Sequence, residues 1–147
     1  MTFQWQQANG IALDVTNWSA VVRESGAPTA AAPQTILKTD QAWTVHVHFE
    51  VSGPAAPFPH GTWHLECYLE SIGAGGEFEI PEVDIAMGAW VYDVPMPVAA
   101  GAVVPEMAPG EPSTPFKITT TLTAVDPAGT VWPMAGYEEG PIIQFFV

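Results

Sequence analysis

The stretch Trp43-Thr-Val-His-Val-His-Phe-Glu-Val51, "WTVHVHFEV", decides how this chain is read. Trp43, Val45, Val47, Phe49 and Val51 take every second place; Thr44, His46, His48 and Glu50 take the places between. Successive side chains of a strand point to opposite faces, so the segment predicts a β-strand with one apolar and one wet face. The stretch "GTWHLECYLE" at 61–70 repeats the pattern, with Trp63, Leu65, Cys67 and Leu69 set against His64, Glu66, Tyr68 and Glu70. In both stretches the odd numbers are apolar, and three of the four histidines fall on the wet side.

Working outward, other segments read the same way. Phe3-Gln-Trp5 and Ile11-Ala-Leu13-Asp-Val15 alternate, and between them Asn9-Gly10 suits a tight turn because both residues tolerate positive φ. Gly26 to Pro33 and the "SGPAAPFPHG" stretch after Val51 read as loops. "EFEI" at 77–80, "VDIAM" at 83–87 and "AWVYDV" at 89–94 are strand-like, with Pro81 and Gly88 as breaks. The segment 95–115 carries six prolines and predicts a meandering loop or an edge segment. Phe116 to Val125 alternates again, with Phe116, Ile118, Thr120, Leu122 and Ala124 as its inward set. Asp126-Pro-Ala-Gly129 suits a type I turn. "TVW", a glycine-containing loop and a last strand from Ile142 to Val147 complete the chain.

These segments predict one domain over residues 1–147: an all-β, antiparallel sandwich of about seven to nine short strands. Proline, at 15 of 147 residues, is about twice as frequent as the usual 5%, which suits strands joined by turns and disfavours long helices. A domain of this length buries roughly 68–70% of its unfolded surface and needs neither metal nor disulfide to hold it. Cys67 is alone, so no intrachain disulfide forms, and its parity makes it a buried thiol.

Charge bounds the partners. Sixteen Asp and Glu face three cations, Arg23, Lys38 and Lys117, for a net charge of −13. Nucleic acid and anionic membrane are excluded as partners, since each needs a cluster of cations. Self-assembly has to rest on apolar contacts, hydrogen bonds or bound cations. No basic leader precedes an apolar run, and no segment has the ~18 apolar residues of a membrane span. The default compartment is the cytoplasm, with release by lysis or a non-standard export route as the alternative.

The strand "FKITTTLTAVDPAGT" at 116–130, together with the inward Trp63, resembles the late strands and core tryptophan of bacterial immunoglobulin-like and fibronectin-like modules. The likeness covers mainly 43–70 and 116–147 and concerns a common architecture; a second cysteine and a tyrosine corner are absent. It implies an immunoglobulin-like sandwich that serves as a binding, spacer or assembly module.

The histidines admit two readings. His46 and His48 share a strand face about 6–7 Å apart, so both imidazoles can reach one ion, with His64 as a third ligand and Glu50 or Glu66 as an oxygen donor. That arrangement resembles the start of the cupin metal motif, but the glutamate comes two residues after His48 instead of about four, and no later glycine-rich histidine motif follows. In the other reading the imidazoles are ordinary polar side chains. If 43–51 and 62–70 form a hairpin, Glu50 faces His64, His48 faces Glu66 and His46 faces Tyr68, each pair worth roughly 0.2–1 kcal/mol. If the loop crosses between sheets, His64 moves away from His46 and His48. The expectation is that no metal or other cofactor is bound by His46, His48 and His64, and that there is no catalytic residue.

Two further groups carry weaker signals. Glu77, Glu79, Glu82 and Asp84 offer oxygens to a cation but lack a calcium loop, so they read as a charged strand edge. Trp90 and Tyr92 on one strand, with Trp132 and Tyr137 later, are the candidate binding aromatics, for a protein surface or a glycan. The expected function is a non-catalytic module that docks on a protein partner or on itself. A carbohydrate-binding module using Trp90, Tyr92 and Trp132 is the first alternative, and a metal-dependent β-barrel enzyme using His46, His48 and His64 the second.

Overall fold

A computed structural model describes residues 3–7, 13–25, 32–53 and 60–147. Among them there is no helix, and nine strands form a β-sandwich. In chain order the strands are β1 (Gln4–Gln7), β2 (Asp14–Glu24), β3 (Ile36–Lys38), β4 (Trp43–Ser52), β5 (Thr62–Ser71), β6 (Phe78–Ala86), β7 (Val91–Val98), β8 (Phe116–Val125) and β9 (Val131–Phe146). One sheet runs β1-β9-β8-β5-β6, with β3 added to β9 in parallel; the other runs β2-β4-β7. All other pairings are antiparallel. The Asn9-Gly10 turn and the "GAPTAA" and "PAAPFP" parts of the predicted loops lie outside the described residues, but β1 and β2 belong to different sheets.

The strands that decide the reading obey their parity. On β4, Trp43, Val45, Val47, Phe49 and Val51 are buried; on β5, so are Trp63, Leu65, Cys67 and Leu69. On β8 all five expected inward residues, Phe116, Ile118, Thr120, Leu122 and Ala124, are buried. The hairpin of β4 and β5 is not formed. β4 lies between β2 and β7, and β5 lies between β8 and β6, so the chain crosses from one sheet to the other between Ser52 and Thr62. The apolar faces of β4 and β5 meet across the core, where Phe49 and Trp63 pack edge to face with centroids 6.0 Å apart.

Aromatic rings knit the two sheets at this end. Phe3 stacks on Trp18 at 4.2 Å, Trp18 on Phe49 at 5.4 Å, and Phe49 on Tyr92 at 4.7 Å, while Trp63 meets Trp5 at 5.9 Å. Such pairs add roughly 0.5–1.5 kcal/mol beyond the area they bury. Gly136 makes room for the first ring: a Cβ there would stand 2.1 Å from Cζ of Phe3. At the far end Trp43, Phe145, Phe116 and Phe78 form a second chain of ring contacts.

Three expectations from proline and glycine are corrected. Pro81 does not end a strand: β6 passes through it as a bulge, since Leu65 pairs with Val83 but Cys67 pairs with Ile80, leaving Pro81 and Glu82 opposite Glu66. β6 is an edge strand, where a missing N–H is tolerated. Second, Pro95 to Val98 belong to β7, and only 99–115 runs without strand. Val51 N–H donates to Trp90 O at 2.8 Å, so even-numbered backbone groups of β7 face β4. The odd-numbered Pro95 and Pro97 therefore turn their donor-less nitrogens to the open edge, which protects it from further pairing. Third, the "TVW" segment and the last strand are one strand, β9, which absorbs Pro133 and Gly140-Pro141 at two register shifts. The Asp126–Gly129 turn forms as expected, with Gly129 N–H donating to Asp126 O at 2.9 Å and the Asp126 carboxylate accepting from Ala128 and Thr130 N–H.

Candidate functional site

The sandwich separates the histidines. His46 and His48 project from the outer face of the three-stranded sheet; His64 projects from the outer face of the larger one. The pairs Glu50–His64, His48–Glu66 and His46–Tyr68 do not exist, and the three imidazoles do not converge. A site built on His46, His48 and His64 together is thereby overturned by the crossing between β4 and β5.

On the smaller sheet His46 sits opposite Val21 of β2 and Pro95 of β7. Burial lowers its pKa below the ordinary imidazole value, and the Arg23 guanidinium adds to the effect. His48 lies opposite Ser19 and Asp93. Its Nδ1 is 2.7 Å from Asp93 Oδ1, and its Nε2 is 3.6 Å from Glu50 Oε1. Glu50 in turn accepts from Asn17 Nδ2 at 2.7 Å. Asn17 holds φ of 50° in a bulge where Asn17 and Trp18 together oppose Phe49, a conformation that asparagine tolerates better than most residues. Ser19, Val21, Arg23, His46, His48 and Pro95 line a hollow of about 640 Å³ on this face.

On the larger sheet the charges are denser. His64 pairs with Asp84 across β5 and β6, and the bulge at Pro81-Glu82 swings a second carboxylate of β6 toward it. Nδ1 of His64 is 2.6 Å from Asp84 Oδ1; Nε2 is 3.3 Å from Glu82 Oε2 and 3.6 Å from Glu66 Oε1. The hydrogen bond to Asp84 is the main cause that raises the His64 pKa; burial opposes it and the charges of Glu82, Asp84 and Glu66 add to it. Glu66 Oε2 accepts from Thr121 Oγ1 at 3.0 Å. Two rows further along, Lys117 bridges Glu139 at 2.9 Å and Glu70 at 3.1 Å, contacts that hold its pKa up. Of the acidic stretch, Glu82 and Asp84 reach this cluster, whereas Glu79 pairs with Tyr68 and Glu77 precedes the strand.

The aromatic candidates part company as well. Tyr92 is a core residue, 6% exposed, stacked on Phe49, and its hydroxyl accepts from Ala89 N–H at 3.0 Å. Trp132 is half-buried on β9 in the other sheet, packed against the core. Trp90 is 51% exposed, as is its neighbour Val91. Trp90 has the inward parity of Tyr92, but it stands just ahead of β7, beyond where the core ends. The three residues do not form one platform. Cys67 is fully buried, and burial pushes its thiol up to about 12, far from a nucleophile's range. The chain matches no protein-family model and no curated protein.

Two groupings were hidden from sequence reasoning. The meeting of His64 with Glu82 and Asp84 depends on the bulge, and the signal for it was Pro81 inside an otherwise alternating run. The exposure of Trp90 depends on where the sheet ends, and no residue type marks that point.

Proposed function

We propose that this protein is a non-catalytic, immunoglobulin-like interaction module that docks on a protein partner or on a second copy of itself through the corner presented by Trp90 and Val91. The observation that carries the reading is an exposed indole on a backbone that is tied down on both sides. Trp90 O accepts from Val51 N–H, and Ala89 N–H is held by the Tyr92 hydroxyl, itself locked against Phe49. A large amphipathic ring with only two side-chain torsions, carried on a tied-down backbone, loses little conformational entropy on binding, and tryptophan is enriched among residues that dominate interface energies.

The strand order supports the immunoglobulin-like part of the reading. Reading β2, β4 and β7 as strands A, B and E, and β6, β5, β8 and β9 as C′, C, F and G, is supported by the orders β2-β4-β7 and β9-β8-β5-β6, with β1 and β3 as additions on β9. The full burial of Trp63 on the first strand after the crossing supports reading it as the core tryptophan of strand C. Among the described residues no helix is long and apolar enough to cross a membrane. A glycan platform of Trp90, Tyr92 and Trp132 is the weaker reading, since one ring is in the core and another on the opposite sheet.

Sedimentation velocity over a concentration series, with chemical cross-linking in cell extract, tests the proposal. Trp90→Ala is expected to weaken the association by roughly 30-fold, the loss of a 2 kcal/mol anchor, with the melting temperature unchanged. A wild-type protein that stays an inert monomer and cross-links to nothing, or a Trp90→Ala variant that associates as before, refutes it.

A further inference from the structure

The outer face of β5 and β6 holds a grouping that the interaction reading leaves unused. Asp84 occupies Nδ1 of His64 at 2.6 Å, which fixes the ring and directs Nε2 between Glu82 Oε2 at 3.3 Å and Glu66 Oε1 at 3.6 Å. A neutral imidazole that donates from Nδ1 carries a bare lone pair on Nε2. Three electron-rich atoms then face one another, and either a proton on Nε2 or a cation between them relieves the repulsion. Glu66 is oriented for this role, because its other oxygen, Oε2, is engaged by Thr121 Oγ1. One ligand atom from each of His64, Glu66 and Glu82 lies within 4.8 Å of the others. Ligands bound at about 2.0–2.2 Å stand at most about 4.4 Å apart across an ion, so a small rotation of the exposed Glu82 carboxylate toward His64 and Glu66 completes the set.

We propose that His64, Glu66 and Glu82 bind a divalent cation of the zinc class, with Asp84 positioning the imidazole. The nitrogen ligand selects against Ca²⁺ and Mg²⁺, which prefer oxygen alone. A carboxylate on the far ring nitrogen is the usual support of a metal-bound histidine. Three protein ligands leave a coordination position open to water or to a group from another molecule. His48 supplies the internal contrast: its Nδ1 has Asp93, but its Nε2 meets a single carboxylate, Glu50. That grouping is one ligand short and is not expected to compete.

Calorimetric titration of Zn²⁺ into metal-free protein at pH 7.5 tests the site. One ion is expected to bind per chain with micromolar affinity. His64→Ala should abolish binding, Glu66→Gln and Glu82→Gln should each weaken it, and Asp84→Asn should weaken it by about 10- to 100-fold. His48→Ala should leave it unchanged, and Ca²⁺ in excess should not displace the ion. Independently of any variant, NMR of the wild type should show the His64 Nε2 signal shifting on Zn²⁺ addition while His48 stays still. No saturable binding, binding that survives in His64→Ala, binding lost in His48→Ala, or displacement by equimolar Ca²⁺ overturns the proposal.

Discussion

β4 and β5 read almost as twins, yet they end in opposite sheets. Each sends its odd residues into the core and its histidines outward. Their surroundings differ because their neighbours differ. β5 pairs with β8 in an unbroken register over all ten of its residues, from Thr62–Val125 to Ser71–Phe116. β4 is gripped on one side by β2 through a bulge and on the other by the proline-bearing β7. Outside, His64 meets three carboxylates where His48 meets two. In β4 and β5, which carry no bulge of their own, parity decides what each strand hides, while sheet membership decides what company its exposed side chains keep.

The strongest way to break the comparison is to empty the place where the twins touch. Phe49 and Trp63 are both fully buried and meet at 6.0 Å. Phe49→Ala and Trp63→Ala should each cost about 3–5 kcal/mol, measured by urea unfolding. The double variant should depart from additivity by about 0.5–3 kcal/mol because the rings are in contact. Strictly additive losses would mean that the two rings do not touch across the core. His48→Ala, on the outer face of the same strand, should stay within about 0.5 kcal/mol.

A smaller effect sharpens the contrast between the two ladders. Asn17→Ala forces an alanine to hold φ of 50° in the β2 bulge and removes the hydrogen bond to Glu50. A loss of about 1–2 kcal/mol is expected, and Asn17→Gly should recover most of it. On the β5 side the change runs the other way. Thr120 of β8, opposite Cys67, is fully buried and its hydroxyl has no hydrogen-bond partner among the described residues. Thr120→Val should raise stability by about 1 kcal/mol, visible as a higher melting temperature. No gain there would mean that the hydroxyl is satisfied.

Much of this arrangement was legible before any coordinates. The alternation of β4, β5 and β8 carried both the strand assignments and the inward faces, because burial of one face imposes a period of two whatever the strand pairs with. What stayed hidden were choices between partners. Glu50–His64 and His48–Asp93 are equally favourable on paper, and only the crossing of the chain between sheets selects the second. Proline misled twice for one reason. Pro81 sits at a register shift and Pro95 at an edge, where the missing N–H removes no ladder bond, and such places are defined by neighbours far away in sequence. The metal-ligating trio was unreadable on the same ground, since Glu82 reaches His64 only through the bulge that Pro81 marks.

The smallest expected effect is a silence, and it tests the parity of β5 directly. Cys67 lies on the inner face between Glu66 and Tyr68, whose side chains point outward, and burial pushes its thiol from 9.0 to about 12. A thiol reagent at pH 8 should label none of the folded protein on the time scale of minutes and one equivalent once denaturant is added. The linkage sign follows from the raised value. The folded state keeps its proton where the unfolded chain gives it up, so this thiol leaves stability unchanged below about pH 9 and lowers it as pH climbs from 9 toward 12. Cys67→Ala should remove that alkaline loss, at the cost of a small cavity at every pH. Rapid labelling of the native protein would place the cysteine outside, and with it Trp63, Leu65 and Leu69, since one step in register turns every side chain of a strand to the other face.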